Sequence, residues 1–318
     1  MASNYAKNQP PGFTNQIRRA GGSVGKHIAQ ELLKTGKHTV TALTRAGSQS
    51  ELPEGIQPVH VNYDDEASLV SALEDQEFLI ITLSAGIKYV MPNVWGCDVT
   101  NESLVNSGLN WERIRAAFDE IEKTGVSSWI ALICGFWYEH SVVLGQEAFG
   151  FNFPEKKLTL YDDGNTKINI STQVQCGRAV ATLLSLKVFP ENEHDQSLTV
   201  SSWLNKPVYI SSFLLSQNDM FESWKRVTGD EGDDWTIEYE PTGERYQKGL
   251  ERLKKGDLRG FVQAMYSRVF FPNGDGDFEH KHGLANSILG LPTEDLDEQT
   301  KNAKDMVDRG YSYMTNRN

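Results

Sequence analysis

Between residues 24 and 135 the apolar pattern of this chain switches repeatedly between the helical and the strand period, and this alternation constrains its fold most. "VGKHIAQELLKTG" (24–36) puts Ile28, Leu32 and Leu33 on one helical face and stops at Gly36. "HTVTALTR" (38–45) then alternates as a strand. A short strand around Val59–Val61 leads into a helix capped by Asp64 or Asp65, with Leu69, Val70 and Leu73 turned inward. "EFLIITLS" (77–84) is a continuous apolar run of the kind central parallel strands show, and "IKYVMP" (87–92) reads as the next strand. "NWERIRAAFDEIEKTG" (110–125) is a helix with a Trp111, Ile114, Phe118, Ile121 stripe, followed by the buried strand "SSWIALICGFW" (127–137). Alternation of this kind predicts an α/β fold with a doubly wound, mostly parallel sheet of Rossmann type.

Beyond residue 135 the alternation loosens. "KLTLYDDGNTKINIS" reads as a hairpin around Asp163-Gly164, "CGRAVATLLSL" as a helix and "KPVYISS" as a strand. Residues 240–318 are mainly helical and polar. The expected organisation is a dinucleotide-binding domain over 1–150 and a smaller, mainly helical substrate lobe over 151–318, with the strand at about 206–212 returning to the sheet.

A formal net charge of −12 argues against a nucleic-acid groove, which needs clustered Lys and Arg. Three widely spaced cysteines, Cys97, Cys134 and Cys176, form neither a zinc knuckle nor a disulfide framework. No metal site is expected, and His280 and His282 in "FEHKHG" read as surface residues. The longest apolar run, "WIALICGFWY" (129–138), is about half of the roughly 20 residues a membrane helix needs. The expectation is a cytoplasmic protein acting on a small molecule, with neither membrane nor nucleic acid as partner.

"RRAGGSVGKH" (18–27) opens the first helix. Gly22 and Gly25, separated by Ser23 and Val24, fit the last two glycines of a G-x-x-G-x-x-G phosphate turn, in which helix amides face a pyrophosphate. Position 19, where the first glycine belongs, is Arg19, and no recognisable strand precedes the turn. About twenty residues on, where an acid would bond the ribose of NAD, stand Thr44 and Arg45. Arg45 is either an ordinary surface residue or the partner of an NADP 2′-phosphate. Loop, spacing and arginine together favour NADP(H).

"GGSVGKHIAQELLKTGKHTVTALTR", "YVMPNVWGCD", "IEKTGVSSWIAL" and "YDDGNTKIN" resemble the fungal branch of the NmrA-like and isoflavone-reductase-like proteins, atypical relatives of the short-chain dehydrogenases. Among these the chain is most similar to the concanamycin-induced-protein-like oxidoreductases. The resemblance covers nearly the whole chain. It implies an NADP-binding Rossmann domain with a small lobe over the substrate cleft, and either reduction of small, often phenolic molecules or regulatory dinucleotide binding without turnover. It also exposes two departures. The strand directly before the glycine turn is replaced by "FTNQIRR", and only "SAG" (84–86) separates two runs expected to be adjacent parallel strands. A parallel crossover takes a dozen or more residues, so the second gap predicts an antiparallel hairpin or an element left out of the sheet. Both gaps look like clean losses, as a mis-spliced chain would carry.

The catalytic group is not legible. No tyrosine has a lysine four residues later, and the helix on which the isoflavone-reductase branch carries a lysine has Arg113, Ile114 and Arg115 in the matching stretch, with Lys123 too far along. Arginine stays protonated and is a poor proton shuttle. Cofactor contacts are expected from Gly22, Ser23, Val24, Gly25, Thr44, Arg45 and Ser84. Asn93 and Trp95, after one strand, and Phe136 and Trp137, after the next, either line a substrate pocket or belong to the core. Three functions stay open: an NADP-dependent reductase acting by hydride transfer, a non-catalytic NADP(H)-sensing regulator with a protein partner, and a truncated product with an impaired site.

Overall fold

The computed structural model describes residues 13–18, 20–48, 51–80, 87–96 and 98–311. Its first half runs β1 (Thr14–Arg18), α1 (Gly25–Lys34), β2 (Thr39–Arg45), β3 (Gln57–Val61), α2 (Glu66–Leu73), β4 (Phe78–Ile80), β5 (Tyr89–Met91), α3 (Glu102–Val105), α4 (Trp111–Lys123) and β6 (Ser128–Ile133). There follow β7 (Phe136–Trp137), α5 (Tyr138–Val143), β8 (Phe151–Asn152), β9 (Lys157–Tyr161), β10 (Ile168–Ser171) and α6 (Gln173–Leu184). The chain continues through β11 (Lys206–Tyr209), β12 (Phe213–Leu215), α7 (Gln217–Thr228) and β13 (Thr236–Glu240). It ends in α8 (Thr242–Lys254), α9 (Arg259–Val269), α10 (Phe278–His282) and α11 (Leu296–Asp308).

Seven strands form one sheet in the order β11-β6-β5-β4-β1-β2-β3, and every neighbouring pair is parallel. Alternate residues of its strands serve two cores. Ile130, Leu132 and Cys134 pack with Ile28, Ala29 and Leu32 of α1 and with Cys176, Ala179, Val180 and Leu183 of α6. Trp129, Ala131 and Ile133 face the other way, toward Phe118 and Ile121 of α4. Helices therefore cover both faces, which is why β6 is apolar throughout rather than alternating. The order reverses between β1 and β4, and a sheet of this kind binds ligands across the carboxyl ends of its strands at such a reversal.

The segment "FTNQIRR" does supply a first strand, contrary to the expectation that none precedes the glycine turn. β1 lies between β2 and β4, paired from Thr14↔Thr39 to Arg18↔Leu43 on one side and from Asn15↔Phe78 to Ile17↔Ile80 on the other. Its own composition gives no strand signal because two flanking strands, not its side chains, fix it by backbone pairing. Ile17 is fully buried, and the Phe13 ring packs against Phe78 and Tyr89 at centroid distances of 5.6 and 5.8 Å.

The expected hairpin or ejected element after residue 84 is also corrected: β4 and β5 are adjacent and parallel, Phe78↔Tyr89 to Ile80↔Met91. Their paired stretches are shorter than the apolar runs.

Two smaller readings change. β9 and β10 do not form a hairpin; β9 pairs with β8 and β13, and β10 with β7 and β12. Asp162 and Gly164 do turn the chain, with φ of 52° and 72°, but the strand then enters a different sheet. Asp65, not Asp64, caps α2 by accepting from the Ala67 N–H, and Val70 is 56% exposed rather than inward. The two small sheets and the last helices enclose a separate aromatic core that includes Phe149, Phe151, Trp224, Trp235, Tyr266 and Phe270.

Candidate functional site

α6 lies alongside α1 in the same direction. Near their starts, a Cβ on Gly177 would stand 2.7 Å from the His27 carbonyl oxygen, so only glycine permits the approach. Near their ends, Ser185 Oγ meets His38 Nε2 at 3.1 Å, His38 Nδ1 accepting from the Phe13 N–H. Both helices thus begin on the carboxyl edge of the sheet.

The glycine turn sits at that edge. Val24 occupies the N-cap position of α1 without a side-chain cap, and no acidic residue stands in the first turn. The Lys26 N–H returns to the Gly22 carbonyl at 3.1 Å. Val24 and Gly25 are buried, Gly22 and Ser23 half-buried, and Lys26 exposed. An uncapped, glycine-flanked helix start with no competing carboxylate fits a pyrophosphate, because the helix dipole and free amides both favour an anion. His27 does not add charge: burial first, then Lys26, holds its pKa down to about 4. At the end of β2, Thr44 Oγ1 pairs with His60 Nδ1 at 3.1 Å. Arg45 is exposed, its guanidinium carbon 5.9 Å from the Tyr63 ring centroid. Ser84 lies outside the described residues.

The pocket candidates separate. Gly135 donates to the Gly96 carbonyl at 3.0 Å, which ties the loop after β5 to the end of β6. Trp95, beside Gly96, and Trp137, two residues after Gly135, are both half-buried against the core that holds Cys134 and Cys176. Asn93 is exposed. Phe136 faces the aromatic core, stacked on Tyr266 with centroids 4.0 Å apart. The partly open cavity beside it is about 10 Å³, room for one water and not for a substrate.

Sequence reasoning missed an acidic cluster at the same edge. Glu294 accepts from Thr172 Oγ1 at 2.9 Å, from Ser212 Oγ, and from Arg178 Nη1 at 3.0 Å. Glu139 is 8% exposed, lies near the Gln173 N–H that opens α6, and has an Oε2 that meets no donor among the described residues. Burial, reinforced by Glu294, pushes its carboxyl up to about 7. The Cys176 thiol, beside Cys134, is pushed up mainly by burial. These groups come from segments more than thirty residues apart, and no spacing in the sequence announces them.

The other candidates are structural. His280 pairs with Asp277 at 2.7 Å, and His282 stacks on Tyr209 at 4.5 Å. Among the described residues no His, Cys, Asp and Glu gather as a metal site. Arg115 pairs with Glu102, and Lys123 with Glu120 at 2.7 Å.

Residues 20–135 match the NAD(P)H-binding domain family. The oxidoreductase aprR of Aspergillus flavus is 26% identical over 299 residues, covering 88% of this chain and 94% of its own length. The oxidoreductase poxI of Penicillium oxalicum is 20% identical, covering 88% and 90%. Among solved structures, isoflavone reductase superposes with a TM-score of 0.67 at 19% identity, covering 92% of this chain and 99% of that one. Leucoanthocyanidin reductase from Vitis vinifera, in binary complex with NADPH, gives 0.69 at 14%, covering 91% and 99%. The chain is an NAD(P)-binding protein of Rossmann-like fold. In domain match, relatives and fold the chain is similar to fungal oxidoreductases and to the isoflavone-reductase-like structures. Among the described residues, no helix is long and apolar enough to cross a membrane.

Proposed function

We propose that this chain is an NADP(H)-dependent reductase of a small, oxygen-bearing aromatic molecule. The observation that carries the reading is the pairing of an uncapped, acid-free start of α1 with an exposed arginine, and no acid, at the end of β2. Gly22, Ser23, Val24 and Gly25 would hold the pyrophosphate, while Thr44 and Arg45 would meet the 2′-phosphate; the fit to NADP(H) rests on these groups. The leucoanthocyanidin reductase neighbour is described with NADPH, and another neighbour with NADP+ and pinoresinol, which supports the cofactor and an aromatic substrate here. Trp95 and Trp137 would flank that substrate, with the region from 151 onward closing over it. A bound nicotinamide supplies a hydride, and the chain must orient the acceptor and provide a proton.

The non-catalytic regulator is favoured by one observation: Arg113 and Arg115 stand where the related branch has its lysine, and Arg115 is engaged with Glu102. Calorimetric titration with NADPH and NADH separates the outcomes. The reductase and regulator readings both expect NADPH to bind at least tenfold tighter than NADH, and turnover on an aromatic carbonyl panel divides them. Absence of NADPH binding removes both.

A further inference from the structure

The α1 start lies over the switch between β1 and β4, with the Arg45 side toward β2. A dinucleotide that places its 2′-phosphate at Arg45 extends its other half over β4, β5 and β6. From β1 to β6 is three strand spacings, roughly 14 Å. The end of β6 is where Cys134 meets Cys176 of α6, and where α5 carries Glu139 beside the first amide of α6. Glu139 therefore stands on the nicotinamide half of the edge.

Four buried polar atoms without a partner among the described residues belong to segments that meet there: the indole nitrogens of Trp95 and Trp137, Ser171 Oγ and Glu139 Oε2. Ser171 and Trp137 are register partners between β10 and β7. Buried polar groups are nearly always satisfied in a native protein, so unpartnered groups on converging segments ask for a ligand. Two are indole donors, one is a hydroxyl, and a protonated carboxyl is a further donor. Such a set suits a ligand that presents oxygen acceptors on an aromatic frame.

We propose that Glu139 is the proton donor of the reduction, passing its proton from Oε2 to the oxygen of an aromatic ketone or aldehyde. This rests on the NADP(H)-dependent reductase reading above. As the carbonyl carbon takes the hydride, forming its C–H bond, the C=O π pair moves onto oxygen and takes the Glu139 proton. NADPH is oxidised, the carbonyl is reduced to an alcohol, and the carboxylate left behind is reprotonated from solvent. Glu139 does what the arginines of α4 cannot.

The groups facing Glu139 explain why it holds that proton near neutrality. Glu294, anchored by Thr172, Ser212 and Arg178, repels a second negative charge. Cys176 and, through it, Cys134 add no cation, and Tyr138 and His140, its neighbours on α5, are themselves held neutral by burial. The Arg178 guanidinium is engaged by Glu294. An acid poised near the working pH is the efficient choice for proton transfer.

The test reads protons rather than turnover. NADP+ and NADPH share the 2′-phosphate and differ in the charge of the nicotinamide ring, so the difference in proton release on binding isolates a group beside that ring. An adjacent positive charge lowers a carboxyl pKa by ~1–3 units. In weakly buffered solution at pH 7, NADP+ should release about half a proton more than NADPH from the wild-type chain. Glu139→Gln should bind both cofactors and lose the difference. Equal release from both cofactors, or a difference that persists in Glu139→Gln, overturns the proposal. Should Glu139→Gln fail to fold, Glu139→Asp must shift the pH midpoint of the difference, and an unmoved midpoint overturns it as well. Failure of the wild type to bind either cofactor removes the reductase reading, and the proposal with it.

Discussion

Gly177 of α6 lies so close to α1 that a methyl group there would stand 2.7 Å from the carbonyl oxygen of His27. This contact aligns the starts of both helices on one edge of the sheet, so the glycine turn and the Glu139 cluster lie at the same edge. Gly177→Ala must push the helices apart and should cost about 1–3 kcal/mol, the usual penalty of overpacking. Urea unfolding measures it, and an unchanged midpoint would mean that the helix pair has slack.

Glu139 gives stability a pH dependence. Its carboxyl titrates at about 7 in the folded chain against an ordinary value of 4.5. The folded state holds this proton more tightly than the unfolded chain, so the contribution is lost as pH rises from the unfolded value through 7. The total is on the order of 3 kcal/mol. Glu139→Gln should be more stable than the wild type at about pH 8 and should flatten this slope. Parallel slopes in the two proteins would show that Glu139 is ionised throughout.

Asp275 anchors the loop after β5 to the C-terminal helices. It pairs with Arg268 at 2.6 Å, both side chains only 6% exposed, and accepts from Asn101, Ser103 and Asn273 as well. These donors hold its carboxyl well below the usual range. Asp275→Ala leaves the Arg268 charge buried and should cost about 3–5 kcal/mol, read as a large fall in Tm. A loss under 1 kcal/mol would show that water reaches Arg268.

Arg45 sets cofactor preference if the 2′-phosphate lies at the end of β2. Arg45→Glu should weaken NADPH on the order of tenfold or more, the worth of a charge-assisted bond, and leave NADH unchanged. Equal weakening of both would place Arg45 away from the 2′-phosphate.

The parallel sheet was legible because its helices carry their own stops and stripes. Ile28 and Leu32 of α1, and Phe118 and Ile121 of α4, are buried as their spacing requires. The glycine turn was legible for a similar reason, since Gly22 and Gly25 act through local backbone geometry at a helix start. β1 was not, because "TNQIR" carries no apolar period and is held only by partners reached through long chain segments. The β4–β5 pairing was hidden because apolar runs overstate strand length, and three-residue strands need far less connecting chain.

The sequence by itself determined most of the helices and strands, the two-faced burial of the central strands and the position of a glycine turn at a helix start, all of which follow from near-neighbour patterns. Tertiary structure alone decided which side chains meet at the ligand edge. Phe136 turned into the aromatic core while Trp137, next to it, stayed against the sheet, because successive strand residues point to opposite faces. Glu139 and Glu294 are 155 residues apart in the numbering, and each is an ordinary glutamate in isolation. Only burial beside one another, at the start of α6, makes one of them hold a proton near neutral pH.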